Sequence, residues 1–306
     1  MARISKKRFS ARLYFFAIVI VAIIGVAVFA VALFSSGLRY QTFPTSEHGD
    51  IVFLGKMQDN VPVSGTVQFA DGSSAEIISG KPVDDDDDLP VWYMELNYSN
   101  GDSYKGEMVY FLRHGKGKMT YSGGDVYEGT FVFNDMDGEG TYTYLSGDVY
   151  EGEFAKGKKN GKGVYTWAAL EDGTFDRYEG EYVDDMRSGN GTYVWADGTR
   201  YIGEFASDAK DGKGSLYFPD GAYYQGDFVN DTRTGKGFYK WANGDTYEGD
   251  FYRGAITGKG TFSWSKNDER LTYTGYFENG KIVLVEEEET PPSTSTGEPA
   301  TAEDEE

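Results

Sequence analysis

The sequence predicts an all-β protein, an elongated single-layer antiparallel ribbon of repeated β-hairpins with one N-terminal transmembrane α-helix. Three observations predict it: the composition, an internal repeat and one long apolar run. The 306 residues include 41 Gly, 24 Tyr and 20 Phe. So much glycine would favour disorder if aromatic residues were scarce, but they make up 16% of the chain. This combination favours short strands joined by tight turns.

A Tyr-x-Gly triplet recurs along the body of the chain, and a Gly-x-Gly pair lies between successive triplets. The triplets begin at Tyr104, Tyr127, Tyr150, Tyr178, Tyr201, Tyr224, Tyr247 and Tyr273. Their usual spacing is 23 residues, with five extra residues within 168–178 and three within 265–273. A fixed period of this length is typical of repeat proteins, in which each unit is one small motif.

Each repeat is predicted to form two strands. Side chains two residues apart share a face of a strand, so Tyr201, Gly203 and Phe205 lie together. Pairs such as Asn100-Gly101 and Asn243-Gly244 after the second strand predict two-residue type I′ turns. The glycines inside the strands predict slots on the sheet where a neighbouring Tyr or Trp ring lies flat.

The pattern Tyr-Glu-Gly-x-Phe, Gly-Lys-Gly-x-Tyr-x-Trp and Gly-Asp-x-Tyr resembles the MORN (membrane occupation and recognition nexus) repeat. Tyr247–Gly260, with the sequence YEGDFYRGAITGKG, is one of the stretches that carry this resemblance. The resemblance covers residues 101–281 and implies a ribbon of β-hairpins. It also implies a scaffold that binds other proteins or, as in several relatives, associates with itself.

The repeat predicts the domain boundaries on either side of it. Residues 50–100 are interpreted as degenerate or capping repeats, because 65–72 match the spacing of 214–221, and they carry an acidic insertion at Asp84–Asp88. The full repeat domain is placed at 101–285. Residues 286–306 contain acids, Pro, Ser and Thr without aromatic residues, which predicts a disordered acidic tail.

The N-terminal region predicts a membrane anchor. Leu13–Phe34 is a run of 22 uncharged residues, and a helix of that length reaches roughly 33 Å, enough to cross a bilayer. The basic residues of 1–12 place the N-terminus in the cytoplasm and send the linker 35–49 and the repeats across the membrane. The expectation is a single-pass membrane protein with an extracytoplasmic repeat domain. A cleaved signal peptide is the alternative, although its apolar region would be shorter.

Composition also argues against several kinds of chemistry. The net charge of -21 argues against nucleic-acid binding, and the absence of Cys excludes thiolate metal sites and Cys nucleophiles. The two His, His48 and His114, have no partner ligand in the sequence pattern. One Asp per turn, as at Asp102 and Asp245, is too few for calcium. The chain is therefore expected to be no enzyme, with no catalytic residue, cofactor or metal.

The candidate interaction surface is a set of aromatic residues in the second strands and the residues just after them. They are Tyr142, Tyr165, Trp167, Tyr193, Trp195, Tyr239, Trp241 and Trp264. As exposed anchors they would bind an unknown protein partner, whereas as members of the spine they would be core. Two alternatives stay open. Cell-wall glycan could stack on these rings, and lipid headgroups could bind a line of lysines at Lys116, Lys162, Lys213, Lys236 and Lys259, although the acidic repeat domain opposes the latter.

Overall fold

The structure is a computed structural model that describes residues 36–45, 49–81 and 91–284. The predicted membrane helix at 13–34, the acidic insertion at Asp84–Asp88 and the predicted disordered tail at 286–306 lie outside the described residues. Within the part of the chain that the structure describes, no helix has the length and apolar character needed to span a bilayer.

The described chain is all β, as predicted, and divides into two compact units, Met1–Lys210 and Asp211–Glu306. The strands of the first unit are β1 (Arg39–Thr45), β2 (Gly49–Gln58), β3 (Val61–Gln68), β4 (Ser74–Lys81), β5 (Val91–Asn97), β6 (Ser103–Val109), β7 (Leu112–Thr120), β8 (Val126–Val132), β9 (Asp135–Thr143), β10 (Val149–Ala155), β11 (Lys158–Thr166), β12 (Arg177–Val183), β13 (Met186–Val194) and β14 (Arg200–Ala206). Strand β15 (Ala209–Tyr217) begins just before the boundary. The second unit continues with β16 (Tyr223–Val229), β17 (Thr232–Lys240), β18 (Thr246–Tyr252), β19 (Ala255–Lys266), β20 (Glu269–Glu278) and β21 (Lys281–Val283). Within each unit, consecutive strands pair antiparallel, which confirms the predicted succession of hairpins.

Each repeat is one hairpin with a bulge in its second strand. In the hairpin of β8 and β9, Tyr127 pairs with Tyr142 and Gly129 with Gly140, after which the register shifts. The shift places Gly138, the first glycine of the Gly-x-Gly pair, at a φ of 88°. This glycine is required because a side chain would be strained in the left-handed region.

The core is made by the tyrosines of the Tyr-x-Gly triplets. The fully buried ones are Tyr104, Tyr127, Tyr150, Tyr178, Tyr201, Tyr224 and Tyr247. The Tyr127 ring lies over Gly129 and the paired Gly140, and its hydroxyl donates to the Thr130 carbonyl beside the bulge at 2.9 Å. The prediction that a ring lies over the strand glycines is confirmed for tyrosines such as Tyr127, and Trp92 lies in the same way against Gly80.

Successive hairpins are joined by edge-to-face ring contacts. Tyr127 meets Phe131 of its own strand at 5.0 Å between ring centroids and Phe154 of the next hairpin at 5.1 Å. The interplanar angles are 89° and 81°, the geometry that aligns a ring's positive edge with a negative face. The same pair of contacts recurs at Tyr178 in the first unit and at Tyr247 in the second.

The predicted type I′ turns at Asn100-Gly101 and Asn243-Gly244 are wrong, and both loops have the same geometry. The Gly101 N–H donates to the Tyr98 carbonyl at 3.0 Å, and only Gly101 has a positive φ, which defines a three-residue loop built on a type I turn. The two-residue loops with two positive φ angles lie at the opposite end of each hairpin. Asp184 and Asp185, with φ angles of 49° and 72°, form one of them between β12 and β13.

The two irregular spacings are accommodated in a loop and at the ends of two strands. The five extra residues enlarge the loop after β11, which is closed by a hydrogen bond from Trp167 N–H to the Asp176 carbonyl at 3.0 Å. Tyr165 still pairs with Tyr178 across this loop. The three extra residues lengthen β19 and β20, which pair from Gly258 to Lys266.

The strands before the regular repeats keep the same arrangement. Gly55 pairs with Gly65, and the fully buried Phe53 covers them in place of a tyrosine. The register shifts between Lys56 and Met57. This shift accommodates the separation of Gly55 and Gly65 along the sequence, which is shorter than that of the paired glycines in the regular repeats. At the other end, β21 pairs with only the last three residues of β20.

Candidate protein-binding face

The candidate residues form a continuous row of rings in each unit, which we call the ring ladder. In the first unit it comprises Tyr121, Tyr142, Tyr144, Tyr165, Trp167, Tyr193 and Trp195, with successive centroids 4.5–6.1 Å apart. In the second unit it comprises Phe218, Tyr239, Trp241, Phe262 and Trp264, with successive centroids 4.6–6.4 Å apart. The structure therefore brings the predicted residues of each unit together.

The ring ladder is neither core nor fully exposed surface. Tyr193 is buried at 7% exposure, and the other seven predicted residues are half-buried. The sequence interpretation missed Tyr121, Tyr144, Phe218 and Phe262. Each of these residues lies two or four positions after the second glycine of a Gly-x-Gly pair, as the predicted residues do. Their position in the repeat is therefore the signal that identifies them.

Three tyrosines of the ladder are fixed by turn aspartates. Tyr142, Tyr165 and Tyr193 donate their hydroxyls to Asp125, Asp148 and Asp176 at 2.9, 2.9 and 2.7 Å. The second oxygen of each aspartate accepts a backbone N–H from the next loop, from Leu145, Ala168 and Ala196 respectively. These three turn aspartates thus join ring to loop. Among the described residues no group of acidic or His side chains is arranged to hold a metal ion.

Burial raises the pKa of Tyr165, and the neighbouring Asp148 carboxylate raises it further. The same two causes raise the pKa of Tyr142 and Tyr193. These phenols stay protonated and act as hydrogen-bond donors at any physiological pH.

Cations lie against the buried side of the ladder. Lys159 Nζ is 5.0 Å from the centre of the Tyr165 ring, and the Arg187 and Arg233 guanidinium groups are each 5.4 Å from the rings of Tyr193 and Tyr239. Each cation lies two residues before its Gly-x-Gly pair, six residues before the ring. Burial lowers the pKa of Lys159. Cation–π attraction therefore helps to hold the rings in position.

The other face of the sheet is charged. The middle Glu residues of the triplets, such as Glu128 and Glu151, are exposed there. Two of the lysines considered for lipid binding are paired with acids: Lys213 with Asp227 at 2.8 Å and Lys236 with Asp250 at 2.5 Å. Lys236 holds the pKa of Asp250 below its usual value. These pairs reduce the positive charge available to lipid headgroups.

Comparison with solved structures gives only distant likeness. The TCP domain of Drosophila melanogaster SAS-4, solved with a proline-rich motif of Ana2, is 14% identical with a TM-score of 0.33, and the match covers 59% of this chain and 88% of that one. A mutant TCP10 domain of Danio rerio CPAP is 12% identical with a TM-score of 0.24, covering 69% and 93%. At these scores neither supports a functional argument. The curated proteins contain no match to this chain.

The family comparison is much more specific. The family model described as MORN repeat matches seven successive segments, 104–126, 127–149, 150–169, 178–200, 201–223, 224–246 and 247–269. Each segment begins at the tyrosine of a Tyr-x-Gly triplet, and together they span just over half of the 306 residues. This chain therefore belongs to the MORN-repeat family.

Proposed function

We propose that this protein is a membrane-tethered adaptor that binds another protein through its ring ladder and catalyses no reaction. The observation that carries the proposal is the ladder itself, a continuous row of half-exposed Tyr and Trp rings in each unit. A repeat scaffold of this kind presents an extended surface that recognises a partner.

The ladder has the chemistry of a binding surface. Aromatic residues dominate the energetics of protein interfaces because they bury a large area and lose few rotatable bonds. Here the rings are already held by hydrogen bonds such as Tyr165 to Asp148 and by cations such as Lys159. A partner would therefore meet a pre-organised surface, which lowers the entropic cost of association.

Tethering is proposed from the apolar run at 13–34, with the N-terminus in the cytoplasm and the repeats on the other side of the membrane. The support is the length of the run and the cations that precede it. Protease added to intact cells or sealed vesicles is expected to remove the repeats and leave the N-terminal segment protected. Protection of the repeats would contradict this orientation.

The binding proposal is tested with the full chain carrying Trp167→Ala and Trp195→Ala, compared with a Tyr252→Ala control. Tyr252 is 59% exposed at the end of β18 and is not part of the ladder. A specific partner, recovered by the unaltered chain and by the control, is expected to be lost from the double variant. Equal recovery by all three proteins would contradict the proposal.

Liposome sedimentation and cell-wall pull-down of the same three proteins distinguish the other classes. The ion pairs of Lys213 and Lys236 lead us to expect little binding to anionic liposomes beyond that due to the membrane segment. Strong sedimentation that the ladder variant retains would favour lipid binding. Capture by cell-wall material that the ladder variant loses would favour a glycan ligand.

A further inference from the structure

The ring ladder of the first unit has a gap next to Met119. In the following hairpin, Tyr142 lies between Tyr121, at 6.1 Å, and Tyr144, at 4.5 Å. Met119 holds the position equivalent to Tyr142, two residues after its Gly-x-Gly pair, and has no ring. The repeat therefore predicts a ring between Tyr98 and Tyr121 that this chain does not supply.

A cavity of about 360 Å³ lies at this gap. Tyr98, Tyr121 and Met119 line it, with apolar walls that include Phe69 and Phe111. The Phe111 ring is held in place by stacking on Trp92 at 5.1 Å. The cavity therefore has rigid aromatic walls and is large enough for an aromatic side chain.

A cation in this cavity, Arg113, lacks the ladder ring that Lys159, Arg187 and Arg233 have. Arg113 lies over Phe131 as Arg187 lies over Phe205, both at 5.4 Å. Arg187 also lies against Tyr193, whereas Arg113 meets the sulfur of Met119, with Nη1 at 3.3 Å. Arg113 Nε is buried without a hydrogen-bond partner. The counterpart nitrogen, Arg187 Nε, donates to Asp208 at 3.1 Å, and Asn134 stands at that position here.

The cavity also contains the aspartate that binds a tyrosine hydroxyl elsewhere. Asp102 corresponds to Asp125, Asp148 and Asp176, and like them it accepts a backbone N–H from the next loop, from Ser122 at 2.7 Å. Its other oxygen accepts from the Asn100 side chain at 2.9 Å. A carboxylate oxygen has a second lone pair and can accept one more donor.

We propose that this cavity receives a tyrosine side chain of the partner protein. The guest ring completes the ladder between Tyr98 and Tyr121 and lies against Arg113. Its hydroxyl donates to Asp102, as the Tyr193 hydroxyl donates to Asp176. Among the described repeats, only this one has the equivalent cation and aspartate but no ladder ring. The hairpin at Leu216 also lacks a ring, but it has Thr199 at the aspartate position. That this tyrosine comes from a partner protein rests on the proposed binding function.

The test is a titration of the full chain with N-acetyl-L-tyrosinamide and with N-acetyl-L-phenylalaninamide, followed by the methyl NMR signals of its seven methionines. The Met119 methyl is expected to shift and to reach half-saturation at about tenfold lower concentration with the tyrosine probe, because only it has the hydroxyl. Equal affinity for both probes, or shifts that leave Met119 unaffected, would overturn the proposal.

Two variants locate the binding, with the aromatic NMR signals of Tyr98 and Tyr121 recorded in the same titrations. Met119→Tyr supplies the missing ring from the chain itself and is expected to abolish the shifts of these two aromatic signals. Leu216→Tyr makes the equivalent change in a hairpin of the second unit and is expected to leave it unaltered. A Met119→Tyr protein that still binds the probe would overturn the proposal. If the probe binds but no protein partner depends on the ladder, the adaptor function fails and the cavity assignment stands.

Discussion

At the scale of single residues, the strand glycines exist because a tyrosine ring occupies the space of their side chain. A Cβ added at Gly140 would lie 2.5 Å from the Tyr127 ring, whereas one at the loop residue Gly123 would meet nothing within 4 Å. Gly140→Ala is expected to cost about 1–3 kcal/mol, since the buried ring must shift. Gly123→Ala should change stability by no more than about 0.5 kcal/mol. Urea unfolding of both variants checks this, and equal midpoints would contradict it.

The hydroxyl of a ladder tyrosine should matter only where an aspartate accepts it. Tyr165→Phe removes a hydrogen bond to Asp148, and we expect a loss of about 1 kcal/mol. Tyr239 is the matched control, because the residue at the corresponding aspartate position is Ala222. Tyr239→Phe is expected to be neutral. Thermal unfolding of the two variants measures the difference, and a larger loss for Tyr239→Phe would be inconsistent with the role of the aspartate.

The contact of a tyrosine ring with a strand glycine could be predicted from the sequence, whereas the hydrogen bond from a ladder tyrosine to a turn aspartate could not. The ring over glycine could be predicted because glycine is unfavourable inside a strand and needs a packing reason. The bond from Tyr142 to Asp125 could not, because Asp is also favoured in turns for purely local backbone reasons. An aspartate in such a turn therefore carries no distinct signal of a partner seventeen residues away.

At the scale of the hairpin, the loops with two positive φ angles were missed because most of them lack Asn-Gly or Asp-Gly. One of them is Tyr110-Phe111, with φ angles of 50° and 62°, although aromatic residues rarely adopt this region. The repeat alternates loops of two kinds, and glycine appears in the three-residue loops, where only one positive φ is needed. The period located the hairpins correctly, but the residue types did not assign the turns.

The aromatic loop gives a prediction with its own control. Tyr110 is 58% exposed, so Tyr110→Asn should relieve backbone strain and stabilise the protein by up to about 1 kcal/mol. Phe111 stacks on Trp92 at 5.1 Å, so Phe111→Asn should destabilise it despite the same relief. Urea unfolding of the two variants provides the comparison. A stabilising Phe111→Asn would show that the stacking contributes less than the strain.

At the scale of the whole molecule, the same tyrosine contact is repeated through both units. This repetition made the fold predictable from the sequence. Each ring closes its own hairpin and touches the next, so the periodic residues predicted the antiparallel hairpins and the family. The gap at Met119 was not predicted, because a single methionine in a repeat is an ordinary apolar substitution by its sequence alone. It has meaning only beside Arg113 and the walls of the cavity.

The repeated buried phenols also predict how the protein responds to alkali. Burial raises the pKa of Tyr127, Tyr178, Tyr224 and Tyr247 to about 12, against an ordinary value of 10.0. Because the folded state binds these protons more tightly than the unfolded state, their contribution to stability is complete below pH 10.0 and is lost as the pH rises through about 12.

Tyrosinate absorbance and circular dichroism, recorded together during an alkaline titration, measure this behaviour. We expect the buried tyrosines to ionise in one step that coincides with the loss of β-structure, because a buried phenolate without a compensating charge destabilises the hairpins. Replacing Tyr127 and Tyr178 with Phe removes two of these groups and should move the unfolding transition to higher pH, even though the protein loses two hydrogen bonds at neutral pH. Complete ionisation of the tyrosines with the β-sheet signal intact would contradict a core built from these rings.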